Sequence, residues 1–266
     1  MKLLIRILTI TAILSLFAGV GLGFAAVEEG TLVAQWGLNE DDDFKEAWDA
    51  KGDPMTAEGD IVQQVSDSPE SWNRFWFNFN DGFYFHIFKP LAQGYSYIIP
   101  ERPRGWVENF FTNLMYPVRF VNCLLQGKFE SAGLETSKFI ANTFIGLGGL
   151  GDVTEGRKVL REIPTDSEDF GQTLGAWGAD NGTYLVWPFI GPSTARDSVG
   201  LVGDYFLTPA TYINPWYASM AVKSYEKLNY ISLRIGEYET LKEGALDPYV
   251  ALKSAYLRMR AKKVSK

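Results

Sequence analysis

Large aromatic side chains follow the dipeptide Ser68-Pro69 at intervals of three and four residues. This spacing predicts a helix, with Ser68 as its N-cap and Pro69 in its first turn. One ridge consists of Trp72, Phe75, Trp76, Phe79 and Phe83, and a second face of Phe77, Tyr84 and Phe88. Because only a narrow polar strip remains, this helix must be buried in protein or must contact lipid.

Asparagines interrupt this helix at positions where they are poor helix formers. We therefore expect Asn78 and Asn80 to hydrogen-bond to a neighbouring backbone. The single histidine, His86, lies in the same aromatic run. Since no second histidine or cysteine cluster accompanies it, we interpret it as a packed, partly exposed imidazole and not as a metal ligand.

Helical spacing recurs along most of the remaining chain. Lys89–Pro103 is predicted to be a bend and connector, because prolines lie at both ends of it. Further helices are predicted at Arg104–Leu114, Pro117–Leu125 and Phe129–Ile145, from Ser219 to a stop at Gly244, and from Asp247-Pro248 onwards. Since no repeating βαβ pattern accompanies them, the predicted fold class is all-α.

The last predicted helix combines an apolar face with a basic end. Its cations are Lys253, Arg258, Arg260, Lys262, Lys263 and Lys266. Such an end docks on an anionic headgroup surface or an acidic partner, or it is a solvated tail helix. The sequence leaves these interpretations open.

The segment Gly171–Asp204 is rich in glycine, proline and aromatic residues and contains no lysine. Its apolar triplet Tyr184-Leu185-Val186 lies close to the helix breakers Pro188 and Pro192, so no long regular element is expected there. Bulky apolar groups held on stiff turns favour a surface that meets lipid.

The run from Phe144 to Gly151 contains glycines at the spacing G-x-G-x-x-G. A dinucleotide site would need a strand before these glycines and a long helix after them, and the sequence indicates neither. We favour an apolar hairpin over Phe144–Gly156, whose glycines let its two arms pack closely.

Composition narrows the function further. Aromatic residues make up 15% of the chain, which favours interfaces or membrane surfaces. The formal charge of -7 is uneven, because residues 28–67 hold twelve acidic residues against two lysines. The remaining body is close to neutral and has no basic stripe, so no nucleic-acid partner is expected.

The first part of the chain is predicted to be an export signal and a linker. Residues 1–25 have a positive start, an apolar run and small residues before Ala26, as in a cleaved secretory signal, although an uncleaved anchor helix stays open. Residues 26–67 are interpreted as an acidic flexible linker, with a solvated acid run at Asp41–Asp43. The only cysteine is Cys123, interpreted as a buried apolar residue, so a lipid anchor after the signal is doubtful.

The sequence offers no convincing catalytic set. Ser193 is not in a G-x-S-x-G elbow, and His86 alone would have to act as its base. Glu168-Asp169 are better explained as a helix N-terminal cap, and Arg196-Asp197 as an internal ion pair. We therefore expect no enzyme, no catalytic residue, no metal and no cofactor.

Five ordered blocks carry a resemblance to a known family. They are Asn73-Arg74 with Phe77–Asp81, Phe120–Asn122 with Leu124–Gly127, Asn142-Thr143 with Gly148–Leu150 and Asp152, Glu168–Gly175, and Tyr184–Val186 with Gly191–Thr194 and Arg196-Asp197. In these blocks the chain resembles the MlaA (VacJ-like) outer-membrane lipid-transport proteins. The resemblance runs from about Asp67 to Pro215 and fades beyond about Glu243.

The resemblance implies a disc- or ring-like bundle of amphipathic helices lying in the periplasmic leaflet of the outer membrane. Such a disc encloses an amphipathic channel that removes mislocalised phospholipid from the outer leaflet. Implied partners are phospholipids, the outer membrane, a trimeric porin and a periplasmic lipid carrier. A porin scaffold that moves no lipid, or a periplasmic lipid hydrolase, are the alternatives.

Motif matching also assigns roles to residues. A helical domain is expected over residues 68–243, followed by a basic helix or tail over 244–266. Asn78, Phe79 and Asn80 are expected to brace the hairpin or the ridge. The hairpin residues expected to flank the channel are Phe144, Ile145, Gly146, Leu147, Gly148, Gly149, Leu150 and Asp152.

Overall fold

A computed structural model describes residues 65–154 and 167–266, and this part of the chain is mostly helical. The predicted signal, nearly all of the acidic linker and the end of the predicted hairpin at Gly156 lie outside the described residues. The helices are α1 (Glu70–Phe83), α2 (Lys89–Ile98), α3 (Glu101–Leu114), α4 (Tyr116–Leu125), α5 (Phe129–Phe144), α6 (Phe170–Ala176), α7 (Ala195–Leu207), α8 (Trp216–Leu233), α9 (Glu237–Glu243) and α10 (Pro248–Ser265). Strands β1 (Tyr184–Trp187) and β2 (Gly191–Thr194) form one antiparallel hairpin.

The aromatic helix α1 is confirmed, with two corrections at its ends. Pro69, not Ser68, is the N-cap, and no side chain caps the helix. The prediction of a connector from Lys89 to Pro103 is wrong, because a π-helical turn (Tyr84–Phe88) joins α1 directly to α2. The N–H of Lys89 donates to the carbonyl of Tyr84, and Pro90 lies in the first turn of α2, where a missing N–H is tolerated.

Helices α3, α4 and α5 confirm the predicted elements within a few residues. Pro117 lies in the first turn of α4, where its fixed φ suits a helix start. Gly127 follows α4 with a φ of 75°, which ends the helix as predicted. Cys123 is 1% exposed, and burial raises the pKa of its thiol to about 12, as expected for an apolar core residue.

The prediction that Gly171–Asp204 holds no long regular element is wrong. The β-hairpin pairs Tyr184 with Thr194, and the thirteen-residue helix α7 follows it directly. Thr194 caps α7 by accepting a hydrogen bond from the backbone N–H of Asp197. The two prolines of this segment flank the hairpin turn or lie in its short strand, so they do not prevent regular structure.

The predicted helix from Ser219 to Gly244 is two helices. The chain reverses at Gly236, whose φ of 100° lies in the left-handed region that ends a helix. The backbone N–H of Gly236 then donates to the carboxylate of Glu239, which fixes the start of α9.

The C-terminal helix α10 packs its predicted apolar face into the core, whereas docking of its basic end on a headgroup surface or an acidic partner stays a prediction. Asp247 caps it as predicted, and Tyr249, Leu252, Tyr256 and Met259 are buried. These side chains pack with Phe77 of α1 and with Tyr184 and Val186 of the β-hairpin. Arg260 and Lys263 are buried as well.

A second core cluster joins the π-helical turn, α2, α8 and α9. It consists of Tyr84, Phe88, Ala92, Tyr95, Leu228, Tyr230, Ile231 and Tyr238. Asp67, assigned by sequence to the flexible linker, is fixed to the folded body, because it accepts hydrogen bonds from Tyr249 and Lys253. Within residues 65–154 and 167–266, none of the helices has both the length and the apolar character required to cross a bilayer.

Candidate lipid-contacting site

Two helices of the protein have their apolar faces outside and their polar faces inside. On α7, Val199, Val202 and Phe206 are exposed, whereas Asp197 and Asp204 are buried. The exposed residues follow spacings of three and four, and the two aspartates are seven residues apart, so each set occupies one face of the helix. A soluble protein places these faces the other way round.

Helix α5 shows the same inversion. Phe129, Ile140 and Phe144 are exposed, whereas Glu135 and Asn142 are buried. The Glu135 carboxylate accepts a hydrogen bond from Arg119 at 2.8 Å, so the buried charge is paired inside the protein. An outer surface of this kind is typical of a site that meets lipid or an apolar partner.

The aromatic ridge of α1 is also open on its outer side. Phe75 is 60% exposed, and Trp72 and Phe79 are exposed as well. The rings are ordered by one another, since Trp76 makes edge-to-face contacts with all three. The ridge is therefore a rigid aromatic surface, and it continues onto Phe189 of the β-hairpin turn.

The inner side of α1 holds the β-hairpin through two asparagines. The side-chain amide of Asn73 bonds with the carbonyl of Tyr184 and the N–H of Val186. That of Asn80 bonds in the same way with the carbonyl of Trp187 and the N–H of Phe189. The expectation of a bond to a neighbouring backbone is confirmed for Asn80.

Asn78, Phe79 and Asn80, which were expected to brace the predicted hairpin or the aromatic ridge, all lie on α1. Asn80 and Phe79 both contact the β-hairpin. Asn78 points outward and is exposed, because it follows the ridge and not the inner face of α1. Asn73 was given no bracing role by the sequence, although its spacing of seven from Asn80 places both on one face of α1.

The glycine-rich turn, defined as residues 144–154, reverses the chain after α5 through successive turns. Its described part consists of turns and contains no strand, and the predicted apolar hairpin over Phe144–Gly156 stays a prediction. The N–H of Gly149 donates to the carbonyl of Asn142, and that of Gly151 to the carbonyl of Gly146. The amide of Asn142 accepts from the N–H of Val153, which closes the turn.

This turn presents apolar side chains outward and packs its backbone on α3. Phe144 and Leu147 are each 80% exposed, and Ile145 and Leu150 are exposed as well. Gly149 has a φ of 89°, and a Cβ on it would lie 2.7 Å from that of Asn113. Asp152 accepts a hydrogen bond from the backbone N–H of Thr154. Burial alone would raise the pKa of Asp152, but its hydrogen bonds with Thr154 help to hold the pKa below its usual value.

A buried network of charges connects α6, α7 and α10. Arg260 pairs with the carboxylates of Asp169 and Asp197, and Asp197 also pairs with Arg196 and accepts from Tyr256. Burial alone would raise the pKa of Asp169 and Asp197, but Arg260 beside them holds both below their usual range. The predicted cap at Asp169 and the ion pair Arg196–Asp197 are confirmed.

Asp204 lies at the edge of this network and differs from Asp169 and Asp197 in its protonation state. It accepts hydrogen bonds from the backbone N–H of Phe170 and from Asn122. Burial, together with the charge of Asp169, raises the pKa of Asp204 to about 8. The protonated carboxyl is therefore favoured at neutral pH.

The two residues considered for hydrolysis, Ser193 and His86, each have other hydrogen-bond partners. The hydroxyl of Ser193 is buried and contacts Ser198 and the carbonyl of Thr194. His86 is exposed, and its Nδ1–H donates to the carbonyl of Gly82. Among residues 65–154 and 167–266, no group of three or more metal-ligating side chains is found.

Comparison with known proteins agrees with this arrangement. The family model described as MlaA lipoprotein matches residues 65–263, so the likeness extends beyond the limit near Glu243 that sequence blocks suggested. The intermembrane phospholipid transport system lipoprotein MlaA of Haemophilus influenzae is 31% identical over 202 residues, covering 73% of this chain and 78% of that protein. Its counterpart of the same name in Escherichia coli is 30% identical over 201 residues, covering 75% and 79%.

A solved structure shares the fold as well. It is reported under the words "Structural basis for maintenance of bacterial outer membrane lipid asymmetry" and is 28% identical to this chain. The TM-score is 0.66, and the match covers 75% of this chain and 99% of that one. An uncharacterised protein of Rickettsia conorii is 34% identical over 200 residues, covering 74% and 77%.

Proposed function

Because the chain belongs to the MlaA lipoprotein family, we propose that it transports phospholipid between membranes and maintains the lipid asymmetry of an outer membrane. It removes mislocalised phospholipid from the outer leaflet through an amphipathic passage. The protein acts by binding and guiding lipid, without catalysing a reaction.

The observation that carries this proposal is the inverted helix α7. Val199, Val202 and Phe206 face outward, and Asp197 and Asp204 face inward. An apolar exterior allows the protein to lie among acyl chains, while a polar interior spares a headgroup the cost of crossing hydrocarbon. That cost is on the order of several kcal/mol for an unpaired polar or charged group.

The glycine-rich turn would flank the lipid passage. Its exposed side chains Phe144, Ile145, Leu147 and Leu150 suit contact with acyl chains. The backbone of Gly149 lies against Asn113 of α3, so a larger residue there would shift the turn. In this proposal Asn80 and Phe79 act indirectly, by holding the β-hairpin and the aromatic ridge in place.

The protein would lie in the periplasmic leaflet of the outer membrane. Its aromatic ridge and the outer faces of α5 and α7 supply apolar surface for this position. A trimeric porin would be its neighbour in the membrane, and a periplasmic lipid carrier would accept the lipid.

The proposal is tested in cells that lack the chain and are complemented with variants. A membrane-impermeant amine reagent measures the phosphatidylethanolamine exposed in the outer leaflet. Deletion is expected to raise this signal, and the wild-type chain to restore it. If deletion leaves outer-leaflet phospholipid unchanged, the proposed function is wrong.

A matched pair of variants tests the glycine-rich turn within the same assay. Gly149→Ala is expected to alter lipid asymmetry, because the new Cβ collides with Asn113 at a φ of 89°. Gly133→Ala, on the exposed side of α5 with nothing within 4 Å, is the control. Equal transport by both variants at equal abundance would contradict the role of the turn.

A further inference from the structure

A lysine without a hydrogen-bond partner lies inside the protein on α8. Lys227 is 1% exposed, and its Nζ has no acceptor within hydrogen-bond distance in the described part of the chain. Other buried cations are paired there, as Arg260 is with Asp169 and Asp197. Arg104 likewise donates to the carbonyl and the hydroxyl of Ser232.

An ammonium group in this position is energetically unfavourable, because it loses its hydration without gaining a hydrogen-bond acceptor. Burial lowers the pKa of Lys227 to about 7; Glu226 opposes this shift and Arg234 adds to it. An anion brought against Nζ would offset the desolvation and favour the charged amine.

The surroundings of Lys227 add a second cation. Lys227, Tyr230 and Arg234 are three and four residues apart, so they lie along one side of the helix and its C-terminal end. Nζ of Lys227 is 5.5 Å from the centroid of the Tyr230 ring, and the guanidinium carbon of Arg234 is 4.0 Å from the same centroid. The guanidinium Nη1 of Arg234 is 2.5 Å from the carboxylate Oε1 of Glu108, and this ion pair holds Arg234 in place.

We propose that Lys227 binds the phosphoryl group of a phospholipid, with Arg234 beside it, during passage of the lipid through the protein. Phosphate oxygens are strong acceptors for both kinds of cation. Because Nζ is shielded from bulk water, a phosphate there meets little screening by solvent. The inference rests on the proposed function, although free inorganic phosphate offers the same chemistry.

The test compares the full chain with Lys227→Met, purified in detergent. Methionine keeps the length of the side chain and removes the amine. K227M is expected to fold with equal or higher thermal stability, since replacing an unpaired buried charge by an apolar group is neutral or favourable. Its affinity for fluorescent phosphatidylglycerol in micelles is expected to fall about tenfold or more, as for loss of one charge-assisted bond.

Two controls make this result specific. Lys242→Met removes an equal charge from an ion pair with Asp81 and is expected to leave phosphatidylglycerol affinity unchanged. A fluorescent diacylglycerol with the same acyl chains lacks the phosphate and is expected to bind the wild type and K227M equally. Equal binding of phosphatidylglycerol by the wild type and K227M would overturn the inference while leaving the proposed function intact.

A measurement on the wild type keeps the inference testable if K227M does not fold. The rate of acylation of Lys227 by an amine reagent, followed by mass spectrometry, should fall with phosphatidylglycerol and not with diacylglycerol. Equal rates with both lipids would refute the assignment.

A thermal-stability measurement with inorganic phosphate distinguishes a site for a phospholipid headgroup from a site for free phosphate. If the wild type takes up no phospholipid at all, the proposed function fails, and inorganic phosphate then decides the site on its own. Stabilisation of the wild type and not of K227M by phosphate would assign a free-phosphate site. No stabilisation of either protein would refute the site altogether.

Discussion

The contact between α6 and α7 depends on the absence of a side chain at Gly200. A Cβ built there would lie 2.6 Å from the Cα of Gly171 and 3.2 Å from the carbonyl carbon of Phe170, both of them backbone atoms. Backbone cannot move aside as a flexible side chain can. We therefore predict that Gly200→Ala pushes the two helices apart and destabilises the fold.

The magnitude follows from two opposing effects. Alanine is favoured over glycine in a helix interior by about 1 kcal/mol, and this gain applies at any unobstructed helical position. Overpacking at a tight contact costs about 1–3 kcal/mol. Gly200→Ala should therefore lower the free energy of unfolding by up to about 2 kcal/mol, because the loss outweighs the gain.

Gly133→Ala is the matched control, since Gly133 is also helical and a Cβ on it has no neighbour within 4 Å. It is expected to raise the free energy of unfolding by up to about 1 kcal/mol. Urea denaturation in mild detergent, followed by tryptophan fluorescence, measures both. Equal free energies of unfolding for the two variants would show that the backbone contact at Gly200 does not limit the side chain there.

Three further predictions concern the interior, each measured by denaturation in detergent. Asn80→Ala leaves a backbone carbonyl and N–H of the β-hairpin unpaired and should lower the free energy of unfolding by about 2 kcal/mol or more. Asn78→Ala, at an exposed position, should change it by less than about 0.5 kcal/mol. Equal effects would contradict the role of Asn80 in holding the β-hairpin. Arg260→Met leaves two buried carboxylates without their cation and should cost about 3–5 kcal/mol, and a neutral result would contradict the buried network. The pKa of Asp204 is about 8 in the fold against an ordinary 3.8, so ionisation of this carboxyl disfavours the native state. The free energy of unfolding of the wild type should therefore fall relative to that of Asp204→Asn as pH rises from 4 to 8. Parallel dependences on pH for the two proteins would refute this.

The sequence predicted most helices because their apolar spacing and end signals agree. Pro117, Gly127 and Asp247 each lie at a helix end as expected. The connector predicted at Lys89–Pro103 is wrong because its prolines were taken as helix breakers. Pro90 instead lies in the first turn of α2, which follows the π-helical turn directly and where a proline is tolerated.

The inside of the protein was harder to predict than its elements. Asp197 and Arg196 were expected to pair. Arg260, which also pairs with Asp197, lies on a helix more than sixty residues further along the chain, and no local sequence pattern predicts that contact. The same holds for α10, whose cations suggested a solvent-facing tail although its apolar face packs on the β-hairpin. Inverted helices such as α7 are difficult for the same reason, since periodicity reveals two faces but not which one points inward.

If the exposed apolar surface lies among lipid acyl chains, the side chain at position 147 must lie at the depth of those chains. A cysteine at Leu147 carries an environment-sensitive dye, while the native Cys123 is buried and unreactive. The same dye at the exposed acidic position Glu243 is the reference. With phospholipid vesicles brominated in the acyl chains, the dye at position 147 should be quenched strongly and the one at position 243 weakly. If both dyes report an aqueous environment and neither is quenched, the exposed apolar surface does not lie among lipid acyl chains.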